Sequence, residues 1–210
     1  MTEVSERSFH SYRPADGHGL AHEPLNAIVA PRPIGWISTV SAAGVPNLAP
    51  YSFFNLFCYR PPIVGFSSWG EKDSVVNARE TGAFVWNLVS RELAAPMNES
   101  SAAVGPEVDE FALAGLEMLP GVDVPAPRVA AAPVQFECRV TEILTLKTLS
   151  GAPSPNIMVF GEVVRIHIDP AHIVDGVYRT TSPVPIARGG GTGDYFEIRD
   201  DTLFHMPRPD

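Results

Sequence analysis

The chain has 210 residues, of which 45% are hydrophobic and 19% are charged, so it is long enough for one domain with a sizeable core. A net charge of −9 and the lack of any basic run argue against a nucleic-acid-binding surface, because clustered Lys and Arg hold phosphate backbones. No apolar run approaches the roughly 18 residues of a membrane helix, and the N-terminus lacks an apolar signal region. We therefore expect a cytoplasmic protein that binds neither nucleic acid nor membrane.

Residues 1–23 are polar and predict a surface arm, followed by one domain over residues 24–210. PLNAIVA predicts a single helical turn, which the prolines of PRP stop. Three stretches rich in β-formers come next: IGWISTVS (34–41), NLAPYSFFNLF (47–57) and PPIVGFSS (61–68). AAGVPN supplies the turn between the first two of these stretches.

KDSVVNARETG (72–82) predicts a short helix from about Ser74 to Glu80 that ends at Gly82, a residue suited to the position after a helix. Asp73 or Ser74 is expected to cap the free N–H groups at its start. The same helix start also suits an anion, to which Lys72 would add a positive charge. Taken alone, these residues favour capping over anion binding.

The second half of the chain begins with a buried strand in AFVWNLVS (83–90), followed by helices in RELAAPMNESS and EVDEFALAG. In PVQFECRVTEILTL (133–146) apolar and polar residues alternate. This pattern predicts a strand with one solvent-exposed face, on which Gln135 and Glu137 lie.

The apolar phase of that strand slips after Glu142, which predicts a bulge or strong bend. NIMVFGEVVRIHID (156–169) predicts a second long strand with Gly161 at a bulge or a close backbone approach, and a hairpin joins the two strands. The total is about six strands joined by short turns, with helices inserted between them and no regular βαβ alternation. This mainly β pattern favours an antiparallel sheet closed into a barrel.

Common chemical motifs are missing from the sequence. Neither the dinucleotide-binding GxGxxG after a strand, nor a P-loop, nor the GxSxG of many hydrolases occurs. The six histidines show no metal-ligand spacing, so we expect no metal site. Cys58 and Cys138 are expected to be reduced and buried, and the glycine-rich RGGGTGDY (188–195) is typical of a flexible turn.

Three stretches are unusually polar for their apolar surroundings: WIST, APYSFFN and FSSWGEKDS. Each one alone is typical of turn or cap chemistry. Together they supply hydroxyls, backbone N–H groups, one cation and flat apolar surface. Those groups suit a phosphorylated aromatic ligand.

The three stretches belong to one ordered series, APRPIGWISTVSAAGVPNLAPYSFFNLFCYRPPIVGFSSWGEKDSVVNARETGAFVWNLVS, followed by MNESSAAVGPEVDEFALAGL and FGEVVRIHID. This series resembles the flavin-reductase-like, FMN-binding split-barrel family over roughly residues 24–198. The resemblance implies a six-stranded antiparallel split barrel of Greek-key type. It also implies a homodimer that binds FMN, with FAD as an alternative, near the subunit interface.

The resemblance also implies cofactor-binding residues, and no catalytic side chain. The flavin site is expected to be lined by Ser38 and Thr39, while the isoalloxazine ring and ribityl chain run along Pro50, Tyr51, Ser52, Phe53 and Asn55. The phosphate is expected at Ser67, Lys72, Asp73 and Ser74, so that KDS serves both as helix cap and as anion site.

The function implied is an NAD(P)H-dependent flavin reductase, which passes hydride to flavin and supplies a partner monooxygenase or another redox protein. Two alternatives stay open: an electron carrier with tightly bound FMN, and a non-catalytic flavin-binding dimer. Many short-chain members have a histidine near the docking position of the nicotinamide, where this chain has Asn156. Arg32 or Arg188 is expected to offset the negative protein charge near the phosphates of the donor.

Overall fold

A computed structural model describes residues 7–209, and these residues are mainly β. In chain order the strands are β1 (Arg32–Pro33), β2 (Gly35–Val40), β3 (Pro46–Tyr51), β4 (Phe54–Tyr59), β5 (Pro62–Trp69), β6 (Ala83–Asn87), β7 (Met118–Leu119), β8 (Arg128–Val129), β9 (Val134–Lys147), β10 (Pro153–Ile168), β11 (Ile173–Val174), β12 (Val177–Tyr178), β13 (Ile186–Arg188) and β14 (Tyr195–Glu197).

The helices are short and lie between the strands, as predicted. They are α1 (Leu25–Ile28), α2 (Asp73–Thr81), α3 (Ala94–Glu99) and α4 (Glu110–Leu113), with 3-10 turns at Pro14–Asp16, Arg91–Leu93, Pro170–His172 and Asp200–Thr202. Residues 7–23 contain only the first of these turns and are mostly exposed. The division into an arm over residues 1–23 and a domain over residues 24–210 stays a prediction.

The main sheet has seven strands in the order β3-β2-β6-β9-β10-β5-β4, and all neighbours are antiparallel. The predicted count of six strands was therefore wrong by one. NLAPYSFFNLF divides at a bend over Ser52 and Phe53 into β3 and β4, which stand at opposite ends of the strand order. An unbroken apolar run does not show where such a bend falls.

The bend at Ser52 and Phe53 also shows that the sheet closes on itself. Three chain steps from β3 to β4 span at most about 11 Å. In a flat sheet of seven strands the outer strands would be about 29 Å apart. The two edges therefore meet, and a Cβ placed on Gly35 of β2 would lie 2.8 Å from the side chain of Phe54 of β4. This is the predicted split barrel.

Strands β9 and β10 form the predicted long hairpin. Phe160 pairs with Glu142 and Gly161 pairs with Val140, so Thr141 is an extra residue in β9. The predicted bulge is confirmed here, at the position where the apolar phase slips. Gly161 is required beside it, because a Cβ there would lie 2.6 Å from the ring of Phe84.

The predicted solvent-exposed face of β9 is wrong for its first half, since Gln135 and Glu137 are buried. A loop before β8 covers them, and the Glu137 carboxylate accepts hydrogen bonds from the N–H groups of Val122 and Asp123. Burial alone would raise the pKa of Glu137, but these N–H groups and the ring of His167 lower it. A carboxylate satisfied in this way tolerates burial, so alternation alone misassigned the face.

The barrel interior is filled by an aromatic and aliphatic cluster that includes Phe66, Phe84 and Val159. A second cluster, around Trp36 and Phe111, packs the helices against β2 and β3. Both cysteines are free, as expected. Cys138 is buried, which raises the pKa of its thiol, whereas Cys58 is partly exposed rather than buried.

Candidate functional site

A cleft of about 520 Å³ opens at the N-terminal end of α2, and we refer to it as the α2 cleft. It lies between β3, the turn that leads from β5 into α2, and the segment over residues 100–106 that follows α3. Ser100 fixes the start of that segment, because its hydroxyl accepts a hydrogen bond from the Trp36 indole at 2.9 Å and donates to Met97. The volume of the α2 cleft lies within the range of about 300 to 1,000 Å³ that is usual for small-molecule sites.

The helix start that forms one end of the α2 cleft is not capped by a side chain. Lys72 is the N-cap residue, with extended backbone angles and no side-chain cap bond. Its carbonyl accepts from the N–H groups of Val75 and Val76. Among the described residues, the N–H groups of Asp73 and Ser74 have no hydrogen-bond partner and Lys72 has no ion-pair partner. These groups therefore stay available to an anion.

The predicted cap at Asp73 or Ser74 was wrong. Both residues lie inside the first turn of α2 instead of before it, so neither side chain is in the position from which a cap reaches the free N–H groups. The Ser74 hydroxyl turns into the protein and donates to Asn47 at 2.8 Å. The end of the helix is as predicted, because Gly82 adopts a left-handed conformation with φ of 69°.

A buried hydrogen-bonded group, which we call the cleft network, lies beneath the α2 cleft. The Asn47 side-chain oxygen accepts from the hydroxyls of Ser74, at 2.8 Å, and Thr39, at 3.1 Å. The Asn47 amide donates to the carboxylate of Glu110 at 3.1 Å, and the N–H of Leu48 donates to the second carboxylate oxygen at 3.1 Å. The network joins α2, β2, β3 and α4 at one point.

Glu110 is the buried acid of the cleft network and is 4% exposed. Burial raises the pKa of its carboxyl, and the hydrogen bonds from Leu48 and Asn47 only partly oppose this effect. The charge of Asp73 adds a smaller increase. The carboxyl of Glu110 therefore keeps its proton to higher pH than an exposed glutamate.

Tyr51 places a second polar group at the α2 cleft. It is 7% exposed, and its hydroxyl has no partner of hydrogen-bonding geometry within the described residues. Burial raises the pKa of this phenol, and the hydroxyls of Ser68 and Ser74 beside it partly oppose the rise. The Tyr51 hydroxyl is closed off from solvent, so it stands behind the wall of the cleft and not in its opening.

The structure brings some of the predicted site residues together at the α2 cleft and leaves others apart. Those that line it are Pro50, Tyr51, Lys72, Asp73 and Ser74. The predicted site residues that lie outside the α2 cleft are Ser38, Thr39, Ser52, Phe53, Asn55 and Ser67.

Ser38 and Thr39 are both 0% exposed and serve the interior of the chain. The Ser38 hydroxyl bonds to the carbonyl of Pro127 at 2.5 Å, and Thr39 belongs to the cleft network. Ser52 and Phe53 form the bend between β3 and β4, while Asn55 is exposed on β4. Cofactor contacts by these residues stay predictions.

Ser67 lies near the position expected for nicotinamide docking. Its hydroxyl accepts a hydrogen bond from the amide of Asn156 at 2.9 Å.

Arg32 and Arg188 are direct neighbours in the pairing of β1 with β13. Burial lowers the pKa of Arg32, and the charge of Arg188 lowers it further. Two guanidinium groups close together suit an anion, although the two Nη atoms of Arg32 bond to the carbonyls of Asn26, Val29 and Gly189.

Sequence reasoning assigned no role to three residues that line the α2 cleft: Asn47, Glu110 and Trp69. Asn47 is the first residue of the predicted stretch NLAPYSFFNLF, and Glu110 lies in a predicted helix 63 positions away. The available signal was the MNESSAAVGPEVDEFALAGL motif, which holds both Glu110 and the segment over residues 100–106. The family resemblance assigns no side chain of that motif to the site.

Within residues 7–209, no group of three or more His, Cys, Asp or Glu residues lies close enough to hold a metal ion. Over the same residues, no helix has the length and apolar character needed to cross a membrane.

Comparison with known proteins gives consistent matches. Residues 29–182 match the family described as flavin reductase like domain. An uncharacterised protein of Halalkalibacterium halodurans is 32% identical over 192 residues, which cover 88% of this chain and 89% of that protein. The family resemblance seen in the sequence is thereby confirmed.

Solved structures with this fold cover nearly the whole chain. Nitrilotriacetate monooxygenase component B from Bacillus cereus has a TM-score of 0.85 and 27% identity, with 95% of this chain and 100% of that one covered. The 2-nitrobenzoate 2-nitroreductase of Pseudomonas fluorescens has a TM-score of 0.76 and 27% identity, covering 87% and 88% of the two chains. The split-barrel fold predicted from the sequence agrees with both.

Proposed function

The chain belongs to the flavin reductase like family, and from this premise we propose that it is an FMN-binding oxidoreductase that transfers hydride from NAD(P)H to flavin. The observation that carries the proposal is the α2 cleft. Its helix start offers two free N–H groups beside Lys72.

These groups fit the phosphate end of FMN. Backbone N–H groups at a helix start and the positive end of the helix dipole both favour an anion. Lys72 adds a full charge from an exposed position. Ser74 would contribute its backbone N–H first, because its hydroxyl hydrogen is directed to Asn47.

Residues on the β3 side of the cleft suit the remainder of the cofactor. Pro50 and Tyr51 lead from the cleft into the bend at Ser52 and Phe53, and we propose that the ribityl chain and ring follow this path. We propose that Asn55 lies at the far end of this path and that Ser38 and Thr39 support it from beneath. Bound flavin supplies the redox chemistry, so the protein needs only to orient it and admit a donor.

A nicotinamide donor also carries phosphates, and the neighbouring guanidinium groups of Arg32 and Arg188 would offset the net charge of −9 as it approaches. One observation favours the alternative of an electron carrier fed by another protein. The amide of Asn156, at the position where the family resemblance implies a histidine, already donates to Ser67. The flavin reductase and the electron carrier both require bound FMN and differ in the electron donor.

We propose further that the working form is a homodimer. Strand β4 ends the strand order of the main sheet and exposes Leu56 (51%), Phe57 (54%) and Tyr59 (75%), an apolar row that a second copy would cover. The similarity to nitrilotriacetate monooxygenase component B supports a monooxygenase as the partner that consumes reduced flavin. The alternative to a catalytic dimer is a non-catalytic dimer that binds flavin.

An absorbance spectrum of the purified protein with added FMN, recorded during anaerobic addition of NADH or NADPH, tests the proposal. We expect retained flavin bands that bleach with one of the pyridine nucleotides. Bands that bleach only with dithionite would favour the electron carrier, and a protein that retains no FMN would overturn the proposal.

A further inference from the structure

The α2 cleft has an apolar part that a phosphate group would leave empty. Trp69 stands at its edge and is 70% exposed. Ala102, Ala103 and Val104 of the segment over residues 100–106 line the same cleft. The cleft therefore combines a site for an anion with apolar surface in about 520 Å³.

The backbone holds Trp69 in a fixed position next to the anion site. Trp69 is the last residue of β5 and pairs with Asn156 of β10. Gly70 then turns the chain with φ of 78°, and its N–H donates to Pro155 at 2.8 Å. The N–H of Lys72 donates back to Gly70 at 3.0 Å. Because both ends of this turn are bonded, the backbone of Trp69 is fixed three residues from Lys72, and both residues line the α2 cleft.

The exposure of Trp69 contrasts with the other two tryptophans of the chain. Trp36 is fully buried, and Trp86 is partly buried and stacked on Phe54 with ring centroids 5.5 Å apart. Trp69 has no aromatic partner within the described residues. An indole is a large apolar ring, and one left open beside a cleft offers a face on which a planar ring can stack.

The charges around the cleft restrict which ligand fits there. Lys72 is free of ion pairs in the described part of the chain, whereas the carboxylate of Glu71 is matched by Arg79 at 2.6 Å. Asp73 and the buried Glu110 contribute the remaining acidic groups. One free cation and one helix start suit a ligand with a phosphate group and an uncharged ring.

We propose that Trp69 forms a stacking surface for the adenine ring of an adenine dinucleotide whose phosphate takes, at the start of α2, the position proposed above for the phosphate of FMN. This inference rests on the proposed function, since it places a nucleotide phosphate in the α2 cleft. Adenine linked to phosphate occurs both in FAD and in NADH or NADPH. The shared adenosine-phosphate unit is what the site recognises.

The test compares the wild-type protein with Trp69→Ala, Trp69→Phe and the control Phe204→Ala, which removes a comparably exposed aromatic from the C-terminal segment. Dissociation constants are measured by calorimetry for FMN, FAD, NADH, NADPH and ADP. ADP carries adenine and phosphate without a flavin or a nicotinamide. FMN carries flavin and phosphate without adenine.

We expect Trp69→Ala to lose roughly 5- to 100-fold in affinity for ADP and for one dinucleotide, with FMN unchanged. Trp69→Phe should keep most of the affinity because a ring remains, and Phe204→Ala should match the wild-type protein. A loss for FAD alone identifies the flavin as the source of the adenine. A loss for NADH or NADPH alone identifies the donor.

Three results would overturn the inference: an unchanged affinity of Trp69→Ala for ADP and every dinucleotide, an equal loss for FMN, or a wild-type protein that binds none of the adenine compounds. A fall in native mass of Trp69→Ala by light scattering, with ADP binding unaffected, would assign the ring to a contact between copies instead. Failure of the proposed function gives a different pattern, in which FMN does not bind although ADP binds and depends on Trp69.

Discussion

The hydroxyl of Ser74 donates to the side-chain oxygen of Asn47 over 2.8 Å, beneath the α2 cleft and away from its opening. Asn47 also accepts from Thr39 and donates to Glu110, so one buried amide holds groups from three other elements. The start of α2, which we propose to bind phosphate, is therefore positioned by Asn47, a residue of strand β3.

Replacement of Asn47 by Ala should lower the free energy of unfolding by about 1 to 3 kcal/mol, because it leaves buried partners without their hydrogen bonds. Urea denaturation measures the change. Asn98→Ala is the matched control, since Asn98 is exposed and its substitution should fall within about 0.5 kcal/mol of wild type. Equal stability of the two variants would mean that the cleft network does not stabilise the fold.

Replacement of Lys72 by Ala should weaken FMN binding by about 1 to 3 kcal/mol, or roughly 5- to 150-fold, if its ammonium group forms a charge-assisted bond to the phosphate. Quenching of flavin fluorescence on titration measures the affinity. The chain has only one other lysine, Lys147, and it is exposed at the end of β9. Lys147→Ala removes the same charge elsewhere, so equal affinities for both variants would place the phosphate away from α2.

Much of the fold could be predicted from local sequence patterns. The period-two alternation located β9, its phase slip located the bulge at Thr141, and Gly82 marked the end of α2. Each of these features depends on neighbouring residues along the chain, which is why the sequence shows them directly.

Features that depend on distant contacts were missed. The burial of Glu137 depends on N–H groups of the loop around Val122, and the side chain of Asn47 meets Glu110 although 63 positions separate them. The division of β3 from β4 depends on closure of the barrel at Ser52. Nothing in the local pattern of these residues reports the partner, so the cleft network became visible only in three dimensions.

Glu110 should make stability depend on pH. Burial, with a smaller contribution from Asp73, raises the pKa of its carboxyl in the folded state. The stability from this group is fully present below the unfolded carboxyl pKa, about 4.3, and is lost as pH rises through the raised folded pKa. Glu110→Gln stays neutral, so its stability relative to wild type should increase across that window, by at most about 1.4 kcal/mol per pH unit.

Urea denaturation of wild type and Glu110→Gln at a series of pH values measures this difference. The glutamine offers one acceptor in place of two, which adds a constant offset, so the slope and not the offset is the readout. The control is Glu80→Gln, which removes a carboxyl from the exposed side of α2, outside the cleft network. Parallel pH profiles for wild type and Glu110→Gln would contradict a raised pKa.

Replacement of Gly161 by Ala should destabilise the barrel, because the new methyl group would lie 2.6 Å from the ring of Phe84 and 3.1 Å from Cβ of Cys138. Both neighbours are fully buried and cannot move away freely, so we expect a loss of about 1 to 3 kcal/mol. Thermal and urea denaturation measure it. Gly193→Ala is the control, since a Cβ there meets nothing within 4 Å. Equal urea midpoints for Gly161→Ala and Gly193→Ala would contradict this prediction. They would mean that the core beside the bulge has room for the extra methyl group, so that β10 does not need a glycine next to Phe84.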